Sequence, residues 1–282
     1  MTVEKIYLKE HYPELGVNDC NPSVTCYIPF TITELGYEME QKKWPAIVVC
    51  PGGGYCMVSQ REAEPIALQF IPEGYRAFVI DYSVAPNGFP CQLLEVAAVM
   101  ELIYKNAQEW HIDTEDISII GFSAGGHLAA QYTNRYNCPE VRAVFPESKP
   151  VNASILSYGV LSAKPEYTHG DTVRNFVGHV PEVENEKGCD CSMGVTENTP
   201  PTFLWHTAAD QVVPVECSLL YAQELSKHHI PFELHIYPYG PHGLATADEV
   251  TYLSEDEDMA HAHRWMADAK TWLKMIRNKR NR

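Results

Sequence analysis

The chain reads as an α/β protein with a mostly parallel central sheet, helices on both faces and antiparallel strands at its N-terminal edge. Three observations predict this. Short apolar segments rich in β-branched residues alternate with longer amphipathic ones, as βα units around a parallel sheet require. One short segment, "ISIIGF" (117–122), runs directly into the helix-like "AGGHLAAQYTNRY", with only Ser123 at the corner. The first 44 residues, with "YLKEHYPE" and "TCYIPF", combine prolines with mixed polarity, which suits antiparallel edge strands.

Taken in order, the strands expected are "AIVVC" (46–50), "RAFVIDY" (76–82), "ISIIGF" (117–122), "ASILSYG" (153–159), "TFLWH" (202–206) and "FELHIYP" (232–238). Their length and β-branched content fit buried strands. Helices are expected at about 61–73, 91–110, 124–137, 216–229 and 257–277. In the last of these Ala262, Trp265, Met266, Ala269, Trp272, Leu273 and Ile276 recur at helical spacing, a stripe that belongs against the core. Residues 160–200 have weak periodicity and many turn formers between two strands, which predicts an irregular, lid-like insertion. No internal repeat, low-complexity tract or linker divides the chain, so residues 1–282 are expected to form one domain.

The formal charge of −16, from 21 basic and 37 acidic residues, argues against nucleic acid or an anionic membrane surface as partner. A neutral or cationic small-molecule ligand fits better. The N-terminus lacks a basic region followed by an apolar core, and no apolar run reaches membrane-spanning length, so a soluble, cytoplasmic protein is expected. Nine scattered cysteines suggest reduced thiols, and the lone Cys189-x-Cys191 has no nearby second pair to complete a zinc set. No metal or cofactor is expected.

The chemistry starts at Ser123. Gly-x-Ser-x-Gly alone arises by chance in roughly one chain in ten of this length, but a strand–turn–helix context lifts the serine hydroxyl above the end of a sheet. A serine nucleophile needs a histidine base, itself held by a carboxylate. Asp210, in the turn after "TFLWH", and His242, in "YGPHGLA" after "FELHIYP", follow Ser123 in that order at the carboxyl ends of expected strands. Backbone N–H donors for a developing oxyanion are available from Gly52, Gly53 and Gly54 of "CPGGGYC" and from Ala124. Tyr55, beside those glycines, is either a contact to an acyl group or sugar or a packed aromatic. His127, on the same helix as Ser123, points away from the nucleophile and suits a packing role. His206, inside a buried strand, is expected to hydrogen-bond internally. His228, His229, His261 and His263 fall on expected surface helices. Asp248 follows His242 and so breaks the order, and Asp81 is expected to make a structural hydrogen bond near the site.

Through "PGGGY", "EPIALQF", "DYSVAP", "GFSAGGHLAA", "TPPTFLWHTAAD", "VVPVE", "PFELHIYPYGPHGL" and the closing tryptophan-bearing helix, the chain resembles the α/β-hydrolase superfamily. Within it, the likeness is to the esterases with an "HGGG"-type loop, in the acetyl xylan or feruloyl esterase, xylanase B-like branch. The resemblance implies Ser123 as nucleophile, Asp210 as acid, His242 as base, and Gly53, Gly54 and Ala124 as oxyanion donors. It also implies an ester or acetylated oligosaccharide substrate and no cofactor. Pro51 stands where many lipases of the group carry histidine, which removes any bracing of the loop by that side chain. A triad does not choose between ester and amide, so feruloyl esterase, arylformamidase and small peptidase are the alternatives on this fold. A non-catalytic binding protein would be expected to lack a triad member, whereas all three are present.

Overall fold

A computed structural model describes residues 1–16, 20–31, 34, 36, 41–178, 188–252 and 261–280. Its centre is an eight-stranded sheet formed by β1 (Thr2–Tyr7), β2 (Ser23–Ile28), β3 (Trp44–Cys50), β4 (Arg76–Asp81), β5 (Ile112–Phe122), β6 (Ala153–Ser157), β7 (Thr202–Thr207) and β8 (Phe232–Tyr237). The order across the sheet is β1-β2-β4-β3-β5-β6-β7-β8. β1 and β2 are antiparallel, as the mixed polarity of the N-terminal segment predicts, and β4 onward across the sheet is parallel. This is the α/β-hydrolase fold, with antiparallel strands at its N-terminal edge.

The period of two along each strand sorts side chains into two cores. Ala46, Val48, Ile117, Ile119 and Leu204 face one cluster, while Ile47, Val49, Ile120, Phe203 and Trp205 face the other. Helices α3 (Cys91–Lys105), α4 (Ala124–Arg135) and α7 (Glu216–Lys227) cover the first face. On the second lie α2 (Glu64–Phe70) and α8 (Trp265–Arg280), the latter presenting the expected stripe from Trp265 to Ile276. A strand between two such layers has no wet face, which is why these segments read as continuous apolar runs.

Several boundaries differ from expectation for local reasons. β5 begins at Ile112, because a register shift opposite Trp44–Ala46 lets its polar first half pair as well. α3 stops at Lys105, where Asn106 turns its backbone N–H and its side-chain amide back to Leu102 O. Of the expected helix 257–277, residues 257–260 lie outside the described residues. Three short helices were not legible: α1 (Leu8–His11), α5 (Pro139–Val144) and α6 (Gly170–Val177). α6 falls inside the 160–200 segment and ends on Gly178 at φ 82°, a left-handed stop. The described parts of that segment are packed down. Val173, Phe176, Val177, Cys189 and Cys191 join the first core, and buried Asp190 accepts the N–H groups of Ala163, Ser192 and Met193. Residues 179–187 lie outside the described residues.

Candidate active site

β5 delivers its last residue, Phe122, into a turn in which Ser123 adopts φ 53°, ψ −119°, before α4 starts at Ala124. That conformation is unfavourable for a residue with a Cβ and is held from several sides. Ser123 N–H donates to Ser157 O at 3.0 Å, and Ser123 O accepts from His127 N–H at 3.0 Å and Val160 N–H at 3.2 Å. The flanking glycines are required by close approach. A Cβ on Gly121 would lie 2.1 Å from Gly125 O, and one on Gly125 would lie 2.1 Å from Cys50 O. Only glycine lets the helix start this close to the end of β3.

The Ser123 hydroxyl lies 2.8 Å from His242 Nε2, and His242 Nδ1 lies 2.6 Å from Asp210 Oδ2. An imidazole with a carboxylate at Nδ1 carries its proton there, so Nε2 accepts from the serine. The other oxygen of Asp210 accepts the N–H groups of Val212 and Val213 at 2.8 and 2.9 Å. Burial pushes the Asp210 carboxyl up, but hydrogen bonds from His206 and His242 outweigh it and hold the group well below the usual carboxylate range. It is ionised wherever the histidine is neutral.

His206 was expected to bond internally, and its bonds turn out to reach the site. Nε2 lies 3.0 Å from Val213 O and 3.3 Å from Asp210 Oδ2, and both are acceptors, so Nε2 carries the proton. Nδ1 then accepts from the Ser218 hydroxyl at 2.8 Å. Asp210 is thus gripped by two histidines.

The glycine loop after β3 is pinned at each peptide. Tyr82 O–H donates to Pro51 O at 2.7 Å, the Asn175 amide donates to Gly54 O at 2.8 Å, and Cys56 N–H donates to Gly53 O at 3.0 Å. Bracing that a histidine at position 51 could have given therefore comes from Tyr82 and from α6. Among the described residues, no acceptor engages the N–H groups of Gly53, Gly54 and Ala124. Gly53 and Gly54 border, with Ser123 and His242, a cavity of about 440 Å³.

Tyr55 does not reach that cavity. It is fully buried, packs against Tyr82, His127 and Phe176, and places its hydroxyl 2.9 Å from His127 Nδ1. It is the packed aromatic of the two readings. His127 Nε2 faces the carbonyl of Cys189 at 2.8 Å, and burial pushes the imidazole down to about 4, so it is neutral. Asp248 accepts from Thr246 O–H at 2.6 Å, and exposed Asp81 pairs with Lys5 at 3.4 Å; neither belongs to the Ser123 cluster. Three charged or titratable residues of the cavity escaped sequence reasoning. His169, at the start of α6, contacts Thr172 Oγ1 through Nδ1 at 2.8 Å, and burial, followed by the His242 and Arg174 charges, pushes it down. Arg61 and buried Glu62 lie in the turn after the glycine loop. Of the three, only His169 carried a signal, its position inside the segment expected to approach the substrate.

The sheet, the serine turn and the placement of the histidine and aspartate after β8 and β7 define an α/β-hydrolase. The sequence profile of the BD-FAE family matches residues 36–225, and the chain belongs to that family. Endo-1,4-beta-xylanase B of Butyrivibrio fibrisolvens is 36% identical over 73% of the chain and 33% of its own length. An acetylxylan esterase of Xylanibacter ruminicola is 25% identical over 92% of the chain and 49% of its own length. The chain thus spans a third to a half of these curated relatives. The crystal structure of an acetyl ester-xyloside bifunctional hydrolase from Caldicellulosiruptor lactoaceticus aligns with TM-score 0.83 and 32% identity, covering 97% of this chain and 96% of that one. The carboxylesterase Cest-2923 of Lactobacillus plantarum aligns with TM-score 0.82 and 27% identity, covering 98% of each chain. These relatives place the chain in the esterase branch of the fold.

Proposed function

We propose that the protein is a serine carboxylesterase that removes acetyl groups from xylo-oligosaccharides or related sugars. The observation that carries the proposal is the continuous hydrogen-bonded run from Asp210 through His242 to Ser123, ending in a cavity edged by unengaged glycine N–H groups. His242 Nε2 takes the Ser123 proton as Oγ attacks the ester carbonyl carbon. The carbonyl oxygen gains the charge, and Gly53, Gly54 and Ala124 N–H groups offer donors that need no reorganisation. When the carbon–oxygen bond to the alcohol breaks, His242 returns the proton to the leaving alcohol. Water then repeats the sequence on the acyl-enzyme and frees the acid. Asp210 keeps the imidazole in the productive tautomer and stabilises its cation.

A polyhydroxyl leaving group suits the cavity. Arg61, His169, Gln60 and Ser59 offer hydrogen-bonding groups there, against Met57 and Val212 as apolar walls. Acetylxylan esterase and acetyl ester-xyloside hydrolase among the relatives support the same substrate class. The test is acetate release from acetylated xylo-oligosaccharides beside an activated aryl acetate, with Ser123→Ala as blank. Efficient release from the sugar is expected. Turnover of the aryl ester alone would contradict the sugar assignment and bring other esters and amides forward.

A further inference from the structure

The turn that follows the glycine loop reaches across the site and grips the histidine loop with two consecutive side chains. Arg61 Nη1 donates to Gly243 O at 3.1 Å and to Thr251 O at 3.3 Å. Glu62 is 3% exposed, and each of its oxygens accepts one bond: Oε2 from Gly52 N–H at 2.9 Å and Oε1 from Tyr158 O–H at 2.7 Å. The Tyr158 hydroxyl accepts Ala245 N–H at 2.9 Å, and its ring stands edge-on to His242 at 5.1 Å. One carboxylate and one phenol therefore join the backbone of the oxyanion loop to the backbone of the loop that bears the base. The approach is tight: a Cβ on Gly52 would lie 2.7 Å from Glu62 Oε2.

Burying a carboxylate is costly unless it is paired or fully hydrogen-bonded. Among the described residues, Glu62 has two donors and no ion-pair partner, in a wall of the cavity where charge develops during acyl transfer. A negative charge there opposes the oxyanion and favours the imidazolium, so its net benefit must come through His242 and through geometry. We propose that Glu62 is a positioning residue: by way of Tyr158 it sets the glycine-loop donors in register with His242, and its charge supports the protonated base. This rests on the esterase reading above.

The test uses Glu62→Gln, Tyr158→Phe and the double variant on an activated aryl acetate, with Ser123→Ala alongside. The groups that face His242 are Ser123, Asp210 with His206 behind it, His169, Arg61, and Tyr158 backed by Glu62. Removing the Glu62 charge alone should move the acid limb of kcat/KM to lower pH, whereas Tyr158→Phe should move it less. Misregistered donors should lower kcat by about tenfold or more, with KM held within about twofold. The double variant should lose little beyond the worse single, because the two residues act in series. Should Glu62→Gln fail to fold, Tyr158→Phe removes one hydroxyl and carries the kcat prediction. A Glu62→Gln enzyme with parental kcat and an unmoved acid limb overturns the proposal, even if its melting temperature falls. Retained turnover in Ser123→Ala would instead remove the esterase reading, and the proposal with it.

Discussion

At residue 123 the backbone sits at φ 53°, a conformation that costs a non-glycine residue about 1–3 kcal/mol. What sustains it was legible in part: the glycines on either side can be read in the sequence, whereas the contact of Gly125 with Cys50 O cannot. Ser123, Asp210 and His242 were each identifiable because each sits in a turn just after a strand, where side chains converge above the sheet. Glu62, His169 and Arg61 carry no such local mark and enter the cavity only through tertiary packing. Tyr55 shows the converse, since adjacency to a glycine loop says nothing about which way a ring turns. His206 illustrates a third case: its burial was legible, but its second contact to Asp210 depends on the bend after β7. Asp210→Asn, with its carbonyl oxygen kept on the Val212 and Val213 N–H groups, should turn an amide NH2 group towards His242 Nδ1, leave that N–H without an acceptor and lower kcat on the order of 10⁴-fold. Steady-state kinetics on the aryl acetate checks this; a loss below tenfold would place the acid elsewhere.

Among the elements, the six strands β3 to β8 and the five helices α2, α3, α4, α7 and α8 were legible from period and composition, whereas the short α1, α5 and α6 were not. A six-residue helix such as α5 holds too few turns for an apolar stripe to register, and α6 is recognisable mainly by its stop at Gly178. Yet α6 clamps the glycine loop through Asn175, so a functional support lay in the least periodic stretch of the chain. α4 carries the element-scale prediction. Burial holds His127 near 4, below the ordinary 6.5, so on acidification the unfolded chain binds this proton first. The stability from the neutral imidazole is full above 6.5 and is lost as pH falls towards 4, about 3 kcal/mol in all. Glu95, pushed up to about 7 mainly by burial, works in the opposite sense, weakening the fold as pH rises through an overlapping window. The informative quantity is therefore the difference between His127→Gln and parent. Parent stability minus variant stability, read by thermal unfolding, should fall as pH drops from 6.5 to 4; a difference that does not change with pH would contradict the assignment.

Across the whole molecule, the catalytic candidates converge from the carboxyl ends of β3, β5, β7 and β8, strands that are central or at the far edge of the sheet. The sheet order could not be read from the sequence, because strand neighbours depend on crossovers that leave no mark in local pattern. The closing helix ties this assembly from behind. Trp265 stacks on Trp205 at 4.8 Å and donates to Ala245 O at 3.0 Å, beside the Tyr158 contact to the same residue. Asp116, near the middle of the central β5, accepts both Arg277 and Arg280. The apolar stripe of this helix was legible, but its support of the histidine loop was not. Trp265→Ala should cost about 3–5 kcal/mol in denaturant unfolding and should lower kcat as well. A stability loss of about 3–5 kcal/mol with unchanged kcat in the folded enzyme would separate the helix from the site.

The central claim is that Ser123 is the nucleophile, and its most direct test is covalent. The protein should be treated with a fluorophosphonate, digested, and the modified residue located by mass spectrometry. Stoichiometric modification at Ser123, abolished in Ser123→Ala and slowed in Asp210→Asn, is the predicted result. Modification at another residue, or none in a folded enzyme that still turns over ester, would contradict the account.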